Sequence, residues 1–236
     1  MLEIYAVELK NEIDKHLFEQ VLNYIPENKK TRIKRFLKFE DSVRSLIAEV
    51  IIRKIIIAKL KIKNSDILFE AGEYGKPYLK DFPDFHYNIS HSGQWVLCAI
   101  SNMPVGIDVE IVKEMDLRIA ERFFSEAETK DLLMKKENER LEYFFDLWTL
   151  KESYIKADGR GLHIPLNSFS FKIENEKITF NTQNELKQCF FKRYKIDNHY
   201  KLSVCSLASK FPDKISIIKG ERLLSEFLQI FQSALS

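Results

Sequence analysis

Trp148-Thr-Leu-Lys-Glu-Ser-Tyr-Ile-Lys156 is the stretch around which the rest of the chain is read. It forms the second half of a helix expected over Glu139–Ala157. Leu141, Phe145, Trp148, Glu152 and Ile155 recur there on one face at heptad spacing. Four of these are apolar and the fifth is a carboxylate. An ionised carboxylate taken out of water costs several kcal/mol unless a cation compensates it. Lys156, one turn later, contributes about 0.3–0.5 kcal/mol as a pairing partner, too little to explain a buried charge. Glu152 therefore either lies at an exposed helix end or faces a metal or a reacting group.

A second acidic signal weighs toward the latter. In Val105-Gly-Ile-Asp-Val-Glu-Ile-Val112, Val105, Ile107, Val109 and Ile111 share one face of a strand, and Gly106, Asp108 and Glu110 share the other. Neighbouring carboxylates on such a strand repel, which is tolerable at a solvated edge or around a hard cation. All-oxygen donors suit Mg²⁺ or Mn²⁺ rather than zinc. Asp108, Glu110 and an inward Glu152 make three convergent carboxylates. A metal held that way, with positions left for water, is typical of phosphate chemistry.

The bulk properties fit a globular protein. The 236 residues carry 45% hydrophobic and 12% aromatic side chains and a formal net charge of only +2, so any nucleic-acid or membrane binding must rest on local patches. Cys98, Cys189 and Cys205 lack a C-x-x-C spacing, and Cys98 and Cys205 read as small core residues. Met1–Leu9 reads as a strand with charges in it rather than a signal peptide, and no apolar run approaches the roughly 18 residues of a membrane helix. The expectation is a cytoplasmic, reduced protein with no membrane or nucleic-acid partner.

Along the first half, Leu2–Leu9 alternates as a strand. Pro26 opens a basic run containing Lys29, Lys30, Arg32, Lys34, Arg35 and Lys38. Taken alone this is a solvated face; the functional alternative is an anion site. Asp41 is expected to cap a long helix to about Leu60, which puts Arg44 and Ser45 in its first turn, where free N–H groups favour an anion. Glu73-Tyr-Gly-Lys-Pro77 is a turn in which Gly75 allows close backbone approach, Lys76 offers a charge and Pro77 stiffens the exit. Phe85–Ser90 and Trp95–Ile100 read as a hairpin central in a sheet, with Ser90 and His91 at its mouth.

In the second half, Ser125 caps a helix and Glu128 closes a capping box, a sufficient structural role for Glu128. Gly159 and Gly161 end the central helix. Phe169–Ile173, Lys177–Thr182, Cys189–Lys195 and Lys201–Leu207 read as antiparallel strands, and Glu221–Leu235 as an amphipathic helix packing on its own domain. Both halves run strand, charged short helix, long helix, strands. The expected architecture is therefore α+β, two similar halves over 1–104 and 105–236 related by a pseudo-two-fold, each with a mostly antiparallel sheet on a long helix and the second carrying an extra C-terminal helix.

Taken together, Gly106-Ile-Asp-Val-Glu110, Phe124-Ser-x-x-Glu128 and Trp148-x-x-Lys-Glu-x-x-x-Lys156 resemble the signature of the 4′-phosphopantetheinyl transferases. The match is closest to their longer, monomeric class, which activates peptide and polyketide synthetases. Tyr74-Gly-Lys-Pro77 and Asn88-Ile-Ser-His-Ser-Gly93 extend the likeness, which runs from Leu2 to about Leu207. The resemblance implies a pseudo-dimer with coenzyme A in the cleft between the halves. It implies that Asp108, Glu110 and Glu152 hold Mg²⁺ (or Mn²⁺) against the coenzyme A pyrophosphate, and that Asp108, Glu152 and Lys156 carry the catalysis. It further places Lys29, Arg32, Arg44, Ser45 and His91 around the adenosine and its 3′-phosphate, Gly75, Lys76, Pro77 and Ser90 along the nucleotide, and Lys151 and Lys156 at the pyrophosphate. A serine of an apo acyl or peptidyl carrier protein is then the acceptor and 3′,5′-ADP the leaving group, with Glu152, Glu128 or a water as base. Met115–Phe124 is the expected carrier contact. Ser153, Arg32 and a longer helical tail depart from the family pattern.

Two other classes fit parts of the pattern. A Mg²⁺-dependent nucleotidyl- or glycosyl-transferase also uses D-x-E, although no glycine-rich nucleotide loop or P-loop accompanies it here. A nucleic-acid-binding module would use Lys29–Lys38 and show steep salt dependence.

Overall fold

The computed structural model describes residues 1–10 and 12–232. The first half runs β1 (Glu3–Glu8), α1 (Lys15–Leu22), α2 (Glu27–Lys34), α3 (Phe39–Leu60), β2 (Phe69–Ala71), β3 (Pro77–Leu79), β4 (His86–Ser92) and β5 (Trp95–Ser101). The second runs β6 (Val105–Ile111), α4 (Ile119–Phe123), α5 (Glu126–Met134), α6 (Glu137–Asp158), β7 (Phe169–Glu174), β8 (Lys177–Thr182), β9 (Phe190–Tyr194) and β10 (Tyr200–Ser206), and the chain closes with β11 (Ser216–Lys219) and α7 (Gly220–Gln232). Strand, short helices, long helix, strands recurs as the sequence pattern suggests, and the fold is α+β.

Two principal sheets carry the architecture, ordered β11-β1-β5-β4 and β6-β10-β9. Alternation gives each strand two different faces. Val7, Val96, Cys98 and Ile100 face α3 and the first-half core. Leu2, Ile4, Ala6, Leu97 and Ala99 face the other way and meet Val105, Ile107, Val109, Leu202 and Val204 in a core shared by the two sheets. On β6 the small and acidic face is turned to α6. Gly106 makes this approach feasible, because a Cβ there would lie 2.0 Å from the Ser153 carbonyl oxygen and 2.4 Å from the Ala157 nitrogen. Cys205 is buried in the second-half core and Cys98 in the first.

The structure revises four expectations. First, α6 is buried on nearly every side from Tyr143 to Ala157, so an apolar stripe cannot mark its inner face; Leu141, Trp148, Glu152 and Lys156 are instead among its half-exposed positions. Second, α3 starts at Phe39 with Lys38 as its N-cap, so Asp41 lies inside the first turn and Arg44 and Ser45 fall beyond it. Their backbone N–H groups are not the free ones at the helix start.

Third, β4 is an edge strand of its sheet rather than a central one. It faces β6 through side chains: Asn88, Ser90 and Ser92 accept from the N–H groups of Ile107, Val109 and Ile111. Fourth, the tail does not belong to the second half. β11 pairs in parallel with β1, from Tyr5 with Ser216 to Glu8 with Lys219. Leu223, Leu224, Phe227 and Leu228 of α7 then enter the first-half core, each contributing roughly 1.5–3 kcal/mol. The far edge of β1 was open and apolar surface on α1 and α3 was uncovered, so the tail completes the first half. Positions 233–235 of the expected tail helix lie outside the described residues.

Candidate active site

The seam between β4, β6 and α6 collects the acidic groups. Asp108 is 2% exposed. Its Oδ1 accepts from Ser90 Oγ at 3.0 Å and from Lys156 Nζ at 2.5 Å, while Oδ2 is buried without a hydrogen-bond partner. Lys156 Nζ also reaches Ser90 Oγ at 3.3 Å and the Ile107 carbonyl at 3.4 Å. Two residues along β6, Glu110 accepts from Ser92 Oγ at 3.0 Å. Glu152 is half-buried on the α6 turn that precedes Lys156.

Their protonation is coupled. Burial pushes the Glu152 carboxyl up to about 7; Asp108 and Glu110 push the same way and Lys156 opposes them. Burial also raises Glu110, reinforced by Asp108, and raises Asp108 against the pull of Lys156 and Ser90. Protein mass around the His91 ring holds its pKa below the usual value, and the Arg44 and Lys156 cations act in the same sense. Arg44 itself pairs with Asp41 and donates to the Gly93 carbonyl at 3.0 Å. Three carboxylates thus share one seam with the Lys156 cation, and His91 lies beside them.

Among the described residues, no three His, Cys, Asp or Glu side chains are drawn together closely enough to grip a metal as they stand; the cation touching Asp108 is the Lys156 ammonium. The donor chemistry nonetheless fits a hard divalent cation. The set is all oxygen, one buried oxygen lacks any partner, and each acid raises the next, a cost that a shared dication relieves.

Beside this seam lies a cavity of about 700 Å³ between the halves, lined by Tyr74, Lys76 and Pro77 on one side and by Asp158, Gly159 and Arg160 on the other. Gly75 takes the left-handed φ of +83° that the turn needs. Lys76 crosses the seam to the carbonyls of Val105 at 3.3 Å and Ala157 at 3.1 Å, and burial lowers its pKa to about 8. Lys29 lies 3.6 Å from Glu49 and over the Phe69 ring, Arg32 is exposed on α2, and Ser45 is half-buried on α3.

Lys151 is not where it was expected. It is wholly buried, with Nζ bonded to the carbonyls of Leu166 at 2.8 Å and Phe169 at 2.9 Å and paired with Glu128 at 2.8 Å. All three ammonium protons are engaged, so none is left for a pyrophosphate. Glu128 is equally committed: it closes the capping box on Ser125 and accepts from the Phe171 N–H. The resemblance set Lys151 at the pyrophosphate beside half-exposed Glu152, but a helix turns by about 100° per residue, and that step carries Lys151 to the core side.

Known proteins resemble this chain over nearly its whole length. The 4′-phosphopantetheinyl transferase Sfp of Bacillus subtilis (strain 168) is 39% identical over 224 residues, which is 94% of this chain and 100% of that protein. The chain belongs to the 4′-phosphopantetheinyl transferase family. Residues 104–205 match the 4′-phosphopantetheinyl transferase superfamily and residues 12–103 its N-terminal family. The 4′-phosphopantetheinyl transferase gsp of Aneurinibacillus migulanus is 42% identical over 229 residues, 97% of this chain and 96% of that one. The solved holo-[acyl-carrier-protein] synthase of Thermotoga maritima aligns with 47% of this chain and 66% of its own at 24% identity and a TM-score of 0.40.

In this transferase the sequence pattern singled out Asp108, Glu110, Glu152 and Lys156, and it gave no role at the seam to Asn88 and Ser92, which bond to β6, or to Asp41, which pairs with Arg44. Asn88, Ser90 and Ser92 at alternate positions of β4 were a visible signal of a polar face. Nothing in the sequence told which strand that face would meet.

Proposed function

We propose that this enzyme transfers the 4′-phosphopantetheine group of coenzyme A to a serine hydroxyl of an apo acyl or peptidyl carrier protein. The serine oxygen bonds to the phosphorus that bears pantetheine, the bond from that phosphorus to the bridging oxygen breaks, and 3′,5′-ADP leaves. The observation that carries this reading is the convergence of Asp108, Glu110 and Glu152 with Lys156 and His91 at the seam, next to a cavity walled by both halves.

Asp108, Glu110 and Glu152 would hold Mg²⁺, which when bound supplies positive charge to the pyrophosphate. Lys156, tied to Asp108 and Ser90, steadies charge on the leaving phosphate. Glu152, with its pKa near neutrality, takes the serine proton directly or through a water, a role worth roughly 10²–10⁴-fold. Arg44 and His91 receive the 3′-phosphate, with Lys29, Arg32 and Ser45 flanking it, and Gly75, Lys76, Pro77 and Ser90 line the nucleotide. The carrier docks along Met115–Phe124, where Ile119 is exposed and Phe123 half-exposed. Among the described residues no helix is long and apolar enough to cross a membrane, and we read the enzyme as cytoplasmic and monomeric.

The test is to incubate the protein with an apo carrier, coenzyme A and Mg²⁺ and to weigh the carrier. A phosphopantetheine mass gain that Asp108→Ala removes is the expected result. No gain on any of a panel of fatty-acid, peptide and polyketide carriers would overturn the reading.

A further inference from the structure

We propose that Ser92 is a positioning residue for Glu110, the outermost rung of a side-chain rail (Asn88, Ser90, Ser92) by which β4 holds the acidic strand β6; the inference rests on the divalent-cation reading above.

One edge of β6 pairs with β10. On the other edge the N–H groups of Ile107, Val109 and Ile111 would be left without backbone partners, a costly state for buried amides. Asn88 Oδ1 meets the first at 2.8 Å, Ser90 Oγ the second at 3.3 Å and Ser92 Oγ the third at 3.1 Å. The rail advances two residues per rung on both strands, so it fixes their register without joining them into one sheet. The carbonyls of Val105 and Ile107 on the same edge receive Lys76 and Lys156. Side chains thus meet five backbone groups of this edge, three N–H and two C=O.

Each serine hydroxyl has a single proton. Because the oxygen of Ser92 already accepts from the Ile111 N–H, its proton is directed onward, to Glu110 Oε2 at 3.0 Å. Ser90 repeats the arrangement with Asp108, but there Lys156 supplies a second donor. Among the described residues Ser92 is the one hydrogen-bond donor to Glu110. Without it, Glu110 is free to swing away from the like charge of Asp108 on the same face of the strand. Groups that orient ligands from behind typically change metal affinity by roughly 10–100-fold.

The test is Mn²⁺ binding to the protein free of coenzyme A, followed by paramagnetic resonance of the free ion, with thermal melting of each variant alongside. Ser92→Ala should weaken Mn²⁺ by about tenfold or more with melting close to wild type, and Ser92→Thr should restore most of the affinity. In turnover, Ser92→Ala should raise the Mg²⁺ concentration for half-maximal rate while kcat at saturating Mg²⁺ is largely kept. Should Ser92→Ala fail to fold, Ser92→Cys, similar in size but a weak donor, carries the same expectation. Wild-type affinity in Ser92→Ala, or no recovery in Ser92→Thr, overturns the role of Ser92 alone. A wild-type protein that binds no Mn²⁺ overturns the cation reading and this inference with it.

Discussion

Lys156 Nζ stands 2.5 Å from Asp108 Oδ1, and among the described residues it is the only formal charge paired with that buried carboxylate. Removing the cation alone should therefore hurt more than removing both partners. Lys156→Met leaves a buried anion held by Ser90 only and should cost about 3 kcal/mol in urea unfolding at pH 8. Asp108→Asn/Lys156→Met should recover most of that loss while phosphopantetheine transfer stays abolished. Equal stabilities for the single and double variants would show that the pair does not act as a buried ion pair.

Glu152 makes stability depend on pH with an unusual sign. Its folded pKa, about 7, lies above the ordinary glutamate value of 4.5. The folded state therefore binds the extra proton between those values. The contribution is full below the unfolded pKa and is lost as pH rises through 7. In chelator-treated protein, stability should fall from pH 5 to pH 8 by roughly 1–3 kcal/mol on account of this group. Glu152→Gln should flatten that slope, and added Mn²⁺ should flatten it in the wild type by compensating the charge. A wild-type slope unchanged by either treatment would remove Glu152 from the acidic cluster.

The buried Lys151–Glu128 pair ties α6 to the start of α5 and to β7. Its role predicts a stability phenotype rather than a kinetic one. Lys151→Met should destabilise by about 3–5 kcal/mol because Glu128 is left as an uncompensated buried charge. Glu128→Gln in the same chain should return part of it. Any folded fraction of Lys151→Met, counted by active-site titration, should keep a near-normal coenzyme A KM; a KM rise of more than tenfold would return Lys151 to the phosphate site.

How much of this was legible depended on whether local pattern or tertiary partner set the outcome. The two-faced alternation of Val105–Ile111 was readable because period 2 assigns faces without reference to any neighbour. The capping box at Ser125 and Glu128 was readable for the same reason. In α6, Tyr143–Ala157 carries buried side chains on most sides and only a narrow half-exposed face through Trp148, Glu152 and Lys156, so amphipathic counting took that face for the inner one. The return of β11 and α7 to the first half was hidden because an amphipathic helix declares that it has a partner but not which one. Lys151 shows the same limit for charge: the resemblance set it at the pyrophosphate, and only its three acceptors, from Glu128, Leu166 and Phe169, place it in the core.

Gly106 sets the distance between the acidic strand and the helix bearing Glu152. Both nearest atoms to a Cβ placed there are backbone, so neither can rotate away. Gly106→Ala must push β6 from α6. It should cost roughly 1–3 kcal/mol as overpacking and lower transfer by far more than its effect on the folded fraction, since Asp108 and Glu152 move apart. Thermal melting beside carrier-loading rates would test this; a variant with normal loading would show that the contact has no bearing on the site.

Arg44 offers the sharpest test of how the nucleotide lies. Its guanidinium already reaches Asp41 and the Gly93 carbonyl, which leaves it near His91 with donors still available. If it receives the 3′-phosphate of coenzyme A, Arg44→Ala should weaken coenzyme A by roughly 10–100-fold, the range for a charge-assisted hydrogen bond, and 3′-dephospho-coenzyme A by only a few-fold. Arg44→Lys keeps the charge but not the fork, so it should fall between the two for coenzyme A. The remaining few-fold loss reflects the Gly93 contact, which shapes the β4–β5 turn just beyond His91. Comparing KM values for the two donors with one apo carrier separates these parts. Equal losses would mean that Arg44 serves the turn and that another cation meets the 3′-phosphate.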